Sequence, residues 1–257
     1  VATGCATVNP QADFNKTADL ISERTDVEEV YSPATDELVA EKVDELLADG
    51  LTVKKAVQVA LLNNRSFQAL FQQIGASRAD VVQSRLLTNP SFSLMARFPE
   101  GGGRSNLTFG FGQELVDLWQ IPVRKKIAEA QLEQTVLTIA RRAVELAAEV
   151  KRGCYQILAL QQAERITRSN LDLVERSLKL TKDRFEAGEI GLVDVDLAQA
   201  DLLTVKRELV SLQRDQDVAK SAMGRLLGLS RSKSDWTLMD ELPERAAVAE
   251  DDTLVLQ

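Results

Sequence analysis

Ser91-Phe-Ser-Leu-Met-Ala-Arg-Phe98 is the stretch where the chain changes rhythm. Phe92, Leu94, Ala96 and Phe98 point one way and Ser91, Ser93, Met95 and Arg97 the other, the period of two that belongs to a strand with one apolar face. After Pro99-Glu-Gly-Gly-Gly-Arg104 the alternation resumes, with Leu107, Phe109, Phe111 and Leu115 on a face opposite Thr108, Gly110, Gly112 and Glu114. The spacing predicts two strands of about 9 to 11 residues joined by a glycine-rich loop, the length that crosses a membrane when tilted. A soluble amphipathic hairpin packed on a helix has the same pattern. The loop lacks the lysine and the serine or threonine of a phosphate-binding loop, so it reads only as a turn.

On both sides of this hairpin the period is helical. From Thr52, a plausible N-cap, to Leu87, the residues Val53, Val57, Ala60, Phe67, Phe71, Ile74 and Val81 form one stripe, interrupted by Asn64 and Arg78. Asn89-Pro90 ends it, because proline has no amide to give and pushes the residue before it out of helix. After Trp119-Gln-Ile-Pro122, with Pro122 suited to a first helical turn, a helix is predicted from Pro122 to about Ala187. Leu132, Val136, Ile139, Ala143, Leu146 and Val150 form a stripe of alternating fours and threes. Leu137, Ala140, Val144, Ala147, Cys154 and Leu158 run beside it, which puts Cys154 among buried structural thiols. Two adjacent stripes mean a helix with partners on two sides. Gly188 and Gly191 break the helix, and Asp194 is expected to cap the next one. There Val195, Ala198, Leu202, Val205, Leu209, Leu212, Ala219, Met223 and Leu226 keep a three-four rhythm, with Gln216 the single polar residue, until Gly228.

At roughly 1.5 Å per residue the long helix measures about 100 Å, and the first and last helices about 55 Å each. Laid end to end, the two shorter helices match the long one. The expected architecture is mainly α with a small β part: a rod of very long antiparallel helices, with the strand hairpin at one end and a helix turn at the other. One rod cannot bury two stripes or close a sheet edge, so several copies are expected to associate side by side.

Composition narrows the function. The 257 residues are 44% hydrophobic and 27% charged, enough to bury a core, and the formal net charge of -8 argues against nucleic acid as a partner. There is no histidine, which excludes Ser-His-Asp and Cys-His catalysis and histidine-built zinc sites. Two cysteines, Cys5 and Cys154, exclude a disulfide-rich scaffold and a four-cysteine metal site. No metal or cofactor is expected, and paired acids such as Asp194 and Asp196, or Glu28 and Glu29, read as helix caps and solvated faces rather than an enzyme's acid and base. No apolar run reaches the roughly 18 residues of a transmembrane helix.

Residues 6–50 are polar and acidic, with a short helix expected from Asp36 to Ala48, stopped by Asp49-Gly50. This stretch reads as a tail lying along a larger body. The chain opens on Val1 and closes on Asp252-Thr-Leu-Val-Leu-Gln257, so it is expected to be cut at both ends. Val1-Ala2-Thr3-Gly4-Cys5-Ala6 resembles the end of a bacterial lipoprotein signal, where small residues precede the cysteine to be acylated. The resemblance implies a lipid on Cys5, as the mature N-terminus, and sorting to the outer membrane; the other reading is a free cysteine in a tail.

The order helix, Asn89-Pro90, two amphipathic strands, proline-started long helix, and then Arg184-Phe-Glu-Ala-Gly-Glu-Ile-Gly-Leu-Val-Asp-Val195, resembles the TolC-like outer-membrane efflux family over about residues 50 to 230. In that family an Arg-Phe, a Val-Gly-Leu-type triplet and an Asp-Val mark the periplasmic tip of a helical barrel. The triplet here is Ala187-Gly188-Glu189, which differs at both flanking positions and leaves the choice of adaptor open. The resemblance implies an α-helical barrel joined to a transmembrane β-barrel, and a passive exit duct for substrates handed on by an inner-membrane pump and a periplasmic adaptor.

Phe92, Leu94, Phe98, Leu107, Phe109, Phe111 and Leu115 would face outer-membrane lipid. Gly188 and Gly191 would form the tip turn, with Glu189 and Leu192 as adaptor contacts. Asp194 would cap the return helix or join a charged constriction that closes the tunnel. The divisions that follow are an acidic segment 1–50, a first barrel helix 51–89, a membrane hairpin 90–117, a periplasmic helix 118–187, a tip 188–194, a return helix 195–229, and an acidic link 230–257 toward a second repeat. Members usually carry the unit twice and form trimers. The chain is therefore expected to be the first half of a longer protein, a single-repeat protein forming a hexamer being the other account. A periplasmic coiled-coil or adaptor protein without a membrane barrel is the alternative function, although the short-stranded domains that flank adaptor hairpins are missing.

Overall fold

In the computed structural model, which describes residues 7–48, 50–98, 104–230 and 236–242, the punctuation of the sequence falls at element ends. The elements are α1 (Gln11–Thr25), a 3-10 segment at Pro33–Leu38, α2 (Val39–Ala48), α3 (Val53–Asn63), α4 (Arg65–Gln83), β1 (Ser91–Arg97), β2 (Asn106–Gly112), α5 (Asp117–Glu186) and α6 (Leu192–Leu226). They fall into two units. One takes the chain up to Asp36 together with Arg65–Val144, and the other takes Glu37–Asn64 together with the chain from Glu145 onward.

In the first unit, the segment expected to be a tail contains a packed helix. The buried stripe of α1 is Phe14, Thr17, Ile21 and Thr25. Its two threonines turn their hydroxyls back onto the carbonyls of Asp13 and Ile21, both at 2.7 Å. This local satisfaction lets polar residues occupy core positions and hides the stripe from a count of apolar residues. Phe14 stacks on Phe71 of α4 with ring centroids 5.6 Å apart, and Tyr31 meets the same ring edge-on at 6.0 Å. Arg78, an interruption of the α4 stripe in sequence, grips Asp13 of α1 with both Nε and Nη2. The first part of α5 buries Leu132, Val136, Ile139 and Ala143, as the first stripe predicts, while Leu137 and Val144 of the second stripe stay exposed.

In the second unit, α3 is nearly all core: Ala56, Val57 and every residue from Val59 to Leu62 are buried. Thr52 caps it by accepting from the Lys55 N–H at 3.2 Å, as expected. A second cap comes from Asp240, whose Oδ2 accepts from the Val53 N–H. Asp240 is held there because Leu51 and Leu238 form a parallel bridge, so residues 236–242 dock at the start of α3.

The single helix expected from Thr52 to Leu87 is two. Asn64 leaves helical geometry, at φ -68° and ψ 112°. The amide groups explain the break. Asn63 donates to the carbonyls of Leu227 and Gly228, and Asn64 to that of Leu226, each at 2.9 Å. The carbonyls of Leu226 and Leu227 are orphans at the C-terminus of α6, and that of Gly228 follows directly after it. The long helix starts earlier than expected, at Asp117, because the N–H groups of Leu118 and Trp119 already bond back to Leu115 and Val116. Pro122 thus lies one turn inside α5.

Candidate functional site

β1 and β2 pair antiparallel in the register that the parity of the sequence demands. Phe92 faces Phe111, Leu94 faces Phe109 and Ala96 faces Leu107 on one side, while Ser91–Gly112, Ser93–Gly110, Met95–Thr108 and Arg97–Asn106 make the other. The polar side is kept narrow, since a Cβ on Gly110 would lie 2.5 Å from the Ser93 hydroxyl. Phe92, Phe109 and Phe111 are 69%, 66% and 74% exposed. Among the described residues nothing covers this face, so the hairpin is not packed on a helix of its own chain. The strands are shorter than expected: Phe98 and Leu115 lie just past their ends, exposed, and most of the glycine loop falls outside the described residues. Among the described residues β1 and β2 pair only with each other, which leaves both strand edges open there.

The base of the hairpin is pinched shut. Asp117, buried at the start of α5, accepts from the Thr88 N–H and from Arg124 Nη2, both at 2.9 Å. Gln113 closes the ring by donating Nε2 to the Thr88 carbonyl at 3.1 Å. The hydrogen bonds from Thr88, with Arg124 behind them, hold the Asp117 carboxyl below the usual carboxylate range. Around this base Leu115, Val116, Leu118 and Trp119 are all exposed, Trp119 most of all at 86%. Leu115 belongs to the expected lipid-facing strand face, but helical spacing assigns Val116, Leu118 and Trp119 no role; their signal in the sequence is that, with Leu115, four large apolar groups crowd into five positions.

At the other candidate site, α5 ends in a Schellman motif. The Glu189 N–H reaches the Arg184 carbonyl at 3.0 Å and the Gly188 N–H reaches that of Phe185 at 2.9 Å, with Gly188 at φ +75°. Arg184 Nε donates to Glu189 Oε2 at 3.1 Å across the turn. Gly191, not Asp194, is the N-cap of α6. Asp194 sits three residues in, where its Oδ2 accepts from the Gly191 N–H at 3.1 Å, so it supports the cap from inside the first turn. Leu192 and Val193 are exposed at 58% and 70%. The turn residues Gly188, Glu189, Gly191, Leu192 and Asp194 are thus brought together, with two charged side chains and an apolar pair on the surface. Cys5, the lipidation candidate, lies outside the described residues.

No helix among the described residues is long and apolar enough to cross a membrane, and no group of their His, Cys, Asp or Glu side chains could hold a metal ion. The fold is similar to that of CusC, in crystal structures concerned with conformational changes accompanying folding and transmembrane channel formation. The TM-score is 0.61 at 16% identity, over 78% of this chain and 47% of that one. It is also similar to the outer-membrane channel OprN (TM-score 0.60, 22% identity, 88% and 52% covered) and to a membrane protein from Pseudomonas aeruginosa (0.60, 22%, 71% and 45%). The chain spans about half the length of each. No curated protein matches it. Residues 56–229 match the family described as outer membrane efflux protein, a span that holds the hairpin, the whole of α5 and the whole of α6, and the chain belongs to that family.

Proposed function

We propose that the chain is part of an outer-membrane channel that serves a tripartite efflux system as its passive exit duct. One observation carries this reading: an antiparallel hairpin with Phe92, Leu94, Phe109 and Phe111 uncovered on one side and serine, glycine and threonine on the other. That is the section of a barrel wall with lipid outside and water inside. Its two open edges ask for strands from further copies of the unit, in a trimer of two-repeat chains. Trp119 and its neighbours would sit at the level of the headgroups, where aromatic side chains are favoured. The helices would line a periplasmic tunnel, and acylation of Cys5 would add a lipid anchor. The turn from Gly188 to Asp194 would be the gate and the place where a periplasmic adaptor, and behind it the inner-membrane pump, makes contact. The pump supplies the energy, and no catalysis is asked of this chain.

Phe109→Arg tests the reading against Thr108→Arg, its neighbour on the polar face. An arginine in lipid near mid-bilayer costs roughly 2 to 4 kcal/mol, and one in a water-filled lumen costs little. Phe109→Arg should deplete the protein from the outer-membrane fraction while Thr108→Arg leaves it in place. Equal loss in both variants, or native protein in the soluble fraction, would overturn the reading in favour of a periplasmic coiled-coil protein.

A further inference from the structure

Gln216, the one polar residue in the apolar stripe of α6, is buried. Its Nε2 donates to Glu164 Oε2 on α5 at 2.7 Å and to the Leu160 carbonyl at 3.2 Å. Gln213, one turn earlier on α6, donates to Glu164 Oε1 at 3.3 Å. Arg168 reaches the same oxygen from α5 itself, at 2.6 Å through Nη2 and 3.1 Å through Nε. The Glu164 carboxylate, 16% exposed, therefore collects donors from both helices. The two glutamine amides, spaced one turn apart, fit it in one alignment only. A one-residue slip of α6 would carry Gln216 about 1.5 Å along the axis and 100° around it, away from both acceptors.

The hairpin differs on the two sides of this cluster. Toward the C-terminus of α6, Val150, Cys154, Ile157, Leu158, Met223 and Leu227 are buried, and Asn63 and Asn64 tie down the last carbonyls. Toward the turn, the buried side chains of α5 and α6 are Thr167, Leu178, Val195 and Val205 among the described residues. Ile166, Leu173, Leu180, Leu203 and Val210 are more than 60% exposed there. The Lys206–Glu175 ion pair across this part, at 3.2 Å, is about half exposed at each partner, a kind of contact worth little in water.

We infer that the Glu164–Gln213–Gln216 cluster is the fulcrum of the α5–α6 hairpin: it fixes the register of the two helices and marks the level beyond which the turn can swing without unzipping the packed end. A buried polar residue in an apolar helix seam is a known device for setting register at some cost in stability. The role given to the motion, opening of the gate, rests on the duct reading; the fulcrum itself does not.

Spin-label distances in the full chain, purified in detergent, test it. One label pair, Glu175→Cys with Lys206→Cys, lies on the turn side. The other, Arg152→Cys with Val218→Cys, lines the groove between α5 and α6 on the packed side. Gln216→Met keeps the length of the side chain and removes its donors. It should at least double the width of the turn-side distance distribution and leave the packed-side distribution unchanged. Glu164→Gln, which keeps an acceptor but not the charge, should give a smaller broadening on the same side. An unchanged turn-side width in Gln216→Met, or equal broadening of both pairs, would overturn the fulcrum. Neither outcome touches the duct reading, which fails separately if the native protein conducts no current across a planar bilayer.

Discussion

Gly188→Ala and Gly228→Ala form a pair of substitutions that differ in one physical respect. Both glycines hold the left-handed position of a Schellman motif, at φ +75° and +68°, and in both motifs the next residue donates its N–H back across the helix end: Glu189 to the Arg184 carbonyl at 3.0 Å, Leu229 to that of Gly224 at 2.9 Å. Alanine in this conformation costs roughly 1 to 2 kcal/mol at either site. At Gly188 that is the whole effect, because nothing lies within 4 Å of the added Cβ. At Gly228 the Cβ would stand 2.2 Å from the Asn63 carbonyl oxygen and 2.8 Å from its carbon. Asn63 would have to withdraw and give up its two hydrogen bonds to the Leu227 and Gly228 carbonyls, worth about 1 kcal/mol each. The difference between the sites is then about 2 kcal/mol, or roughly 30-fold in a local opening equilibrium. Hydrogen exchange reads it directly, since each motif has its own reporter amide. Gly188→Ala should speed exchange at Glu189 by about 5- to 30-fold, from its 1 to 2 kcal/mol. Gly228→Ala should speed exchange at Leu229 by a further factor of about 30. Equal acceleration at the two sites would refute the claim that α6 ends against Asn63.

Three further outcomes are expected. In Asp194→Ala, current should leak through the closed channel in a planar bilayer; Asp194→Asn, which keeps an oxygen for the Gly191 N–H, should leak as much if the charge closes the tunnel, and unchanged conductance in both would leave capping as its whole role. The Cys154 thiol is pushed up to about 12 by burial, with the charge of Asp240 adding to the effect. Its thiolate fraction at pH 8 is about a thousandth of that of an ordinary thiol, so iodoacetamide should leave Cys154 unmodified until denaturant is added, and fast labelling of the native protein would contradict its place in the core. The Asp117 carboxyl, held low by Thr88 and Arg124, stabilises the hairpin base above the ordinary carboxylate pKa and loses that contribution as pH falls through its depressed one. Asp117→Asn should therefore exchange faster than wild type at the Thr88 amide at pH 7, and the gap should start to narrow below about pH 4 and close once the pH is below the depressed pKa of Asp117; a gap that does not narrow in acid would assign the effect to packing.

What could be read from the sequence divides along physical lines. The strand register follows from parity, because a one-residue slip would turn Phe92 and Phe109 to the polar side. The ends of α5 and α6 follow from Gly188 and Gly228, since a left-handed cap selects glycine almost uniquely. The turn between α5 and α6 falls at Gly188 and Gly191, where the sequence put it, but Asp194 lies three residues inside α6 instead of at its cap: an aspartate at the cap and one three residues inside look the same when a glycine is present to take the cap. The helix α1 was out of reach for another reason, in that Thr17 and Thr25 count as polar until their hydroxyls are seen bonded to their own helix. The break at Asn64 depends on the carbonyls of Leu226, Leu227 and Gly228, more than 160 positions away. No local pattern carries a contact of that span.

Some of the exposed apolar residues of the long helices are regularly spaced, and under the duct reading that spacing bears on how copies of the unit assemble. Leu137 and Val144 on one part of α5 are seven apart, as are Ile166, Leu173 and Leu180 on another, and Leu203 and Val210 on α6. Scattered exposed leucines mean little on a protein surface. A seven-residue interval keeps such residues on one face, within about 20° per heptad, and so offers a surface along which a neighbouring helix could lie. Among the described residues these side chains stay exposed, and the open edges of β1 and β2 pose the same demand at the hairpin. Under the duct reading both deficits would be met together by further copies of the unit, whose helices would cover the stripes while their strands extend the sheet. The two requirements make a joint test of the duct reading: Leu173→Asp, far along the chain from the hairpin, should weaken assembly and so reduce barrel formation as well. A variant that loses helix association but still closes its barrel would show that the strands assemble without the helices, and would break the link between them.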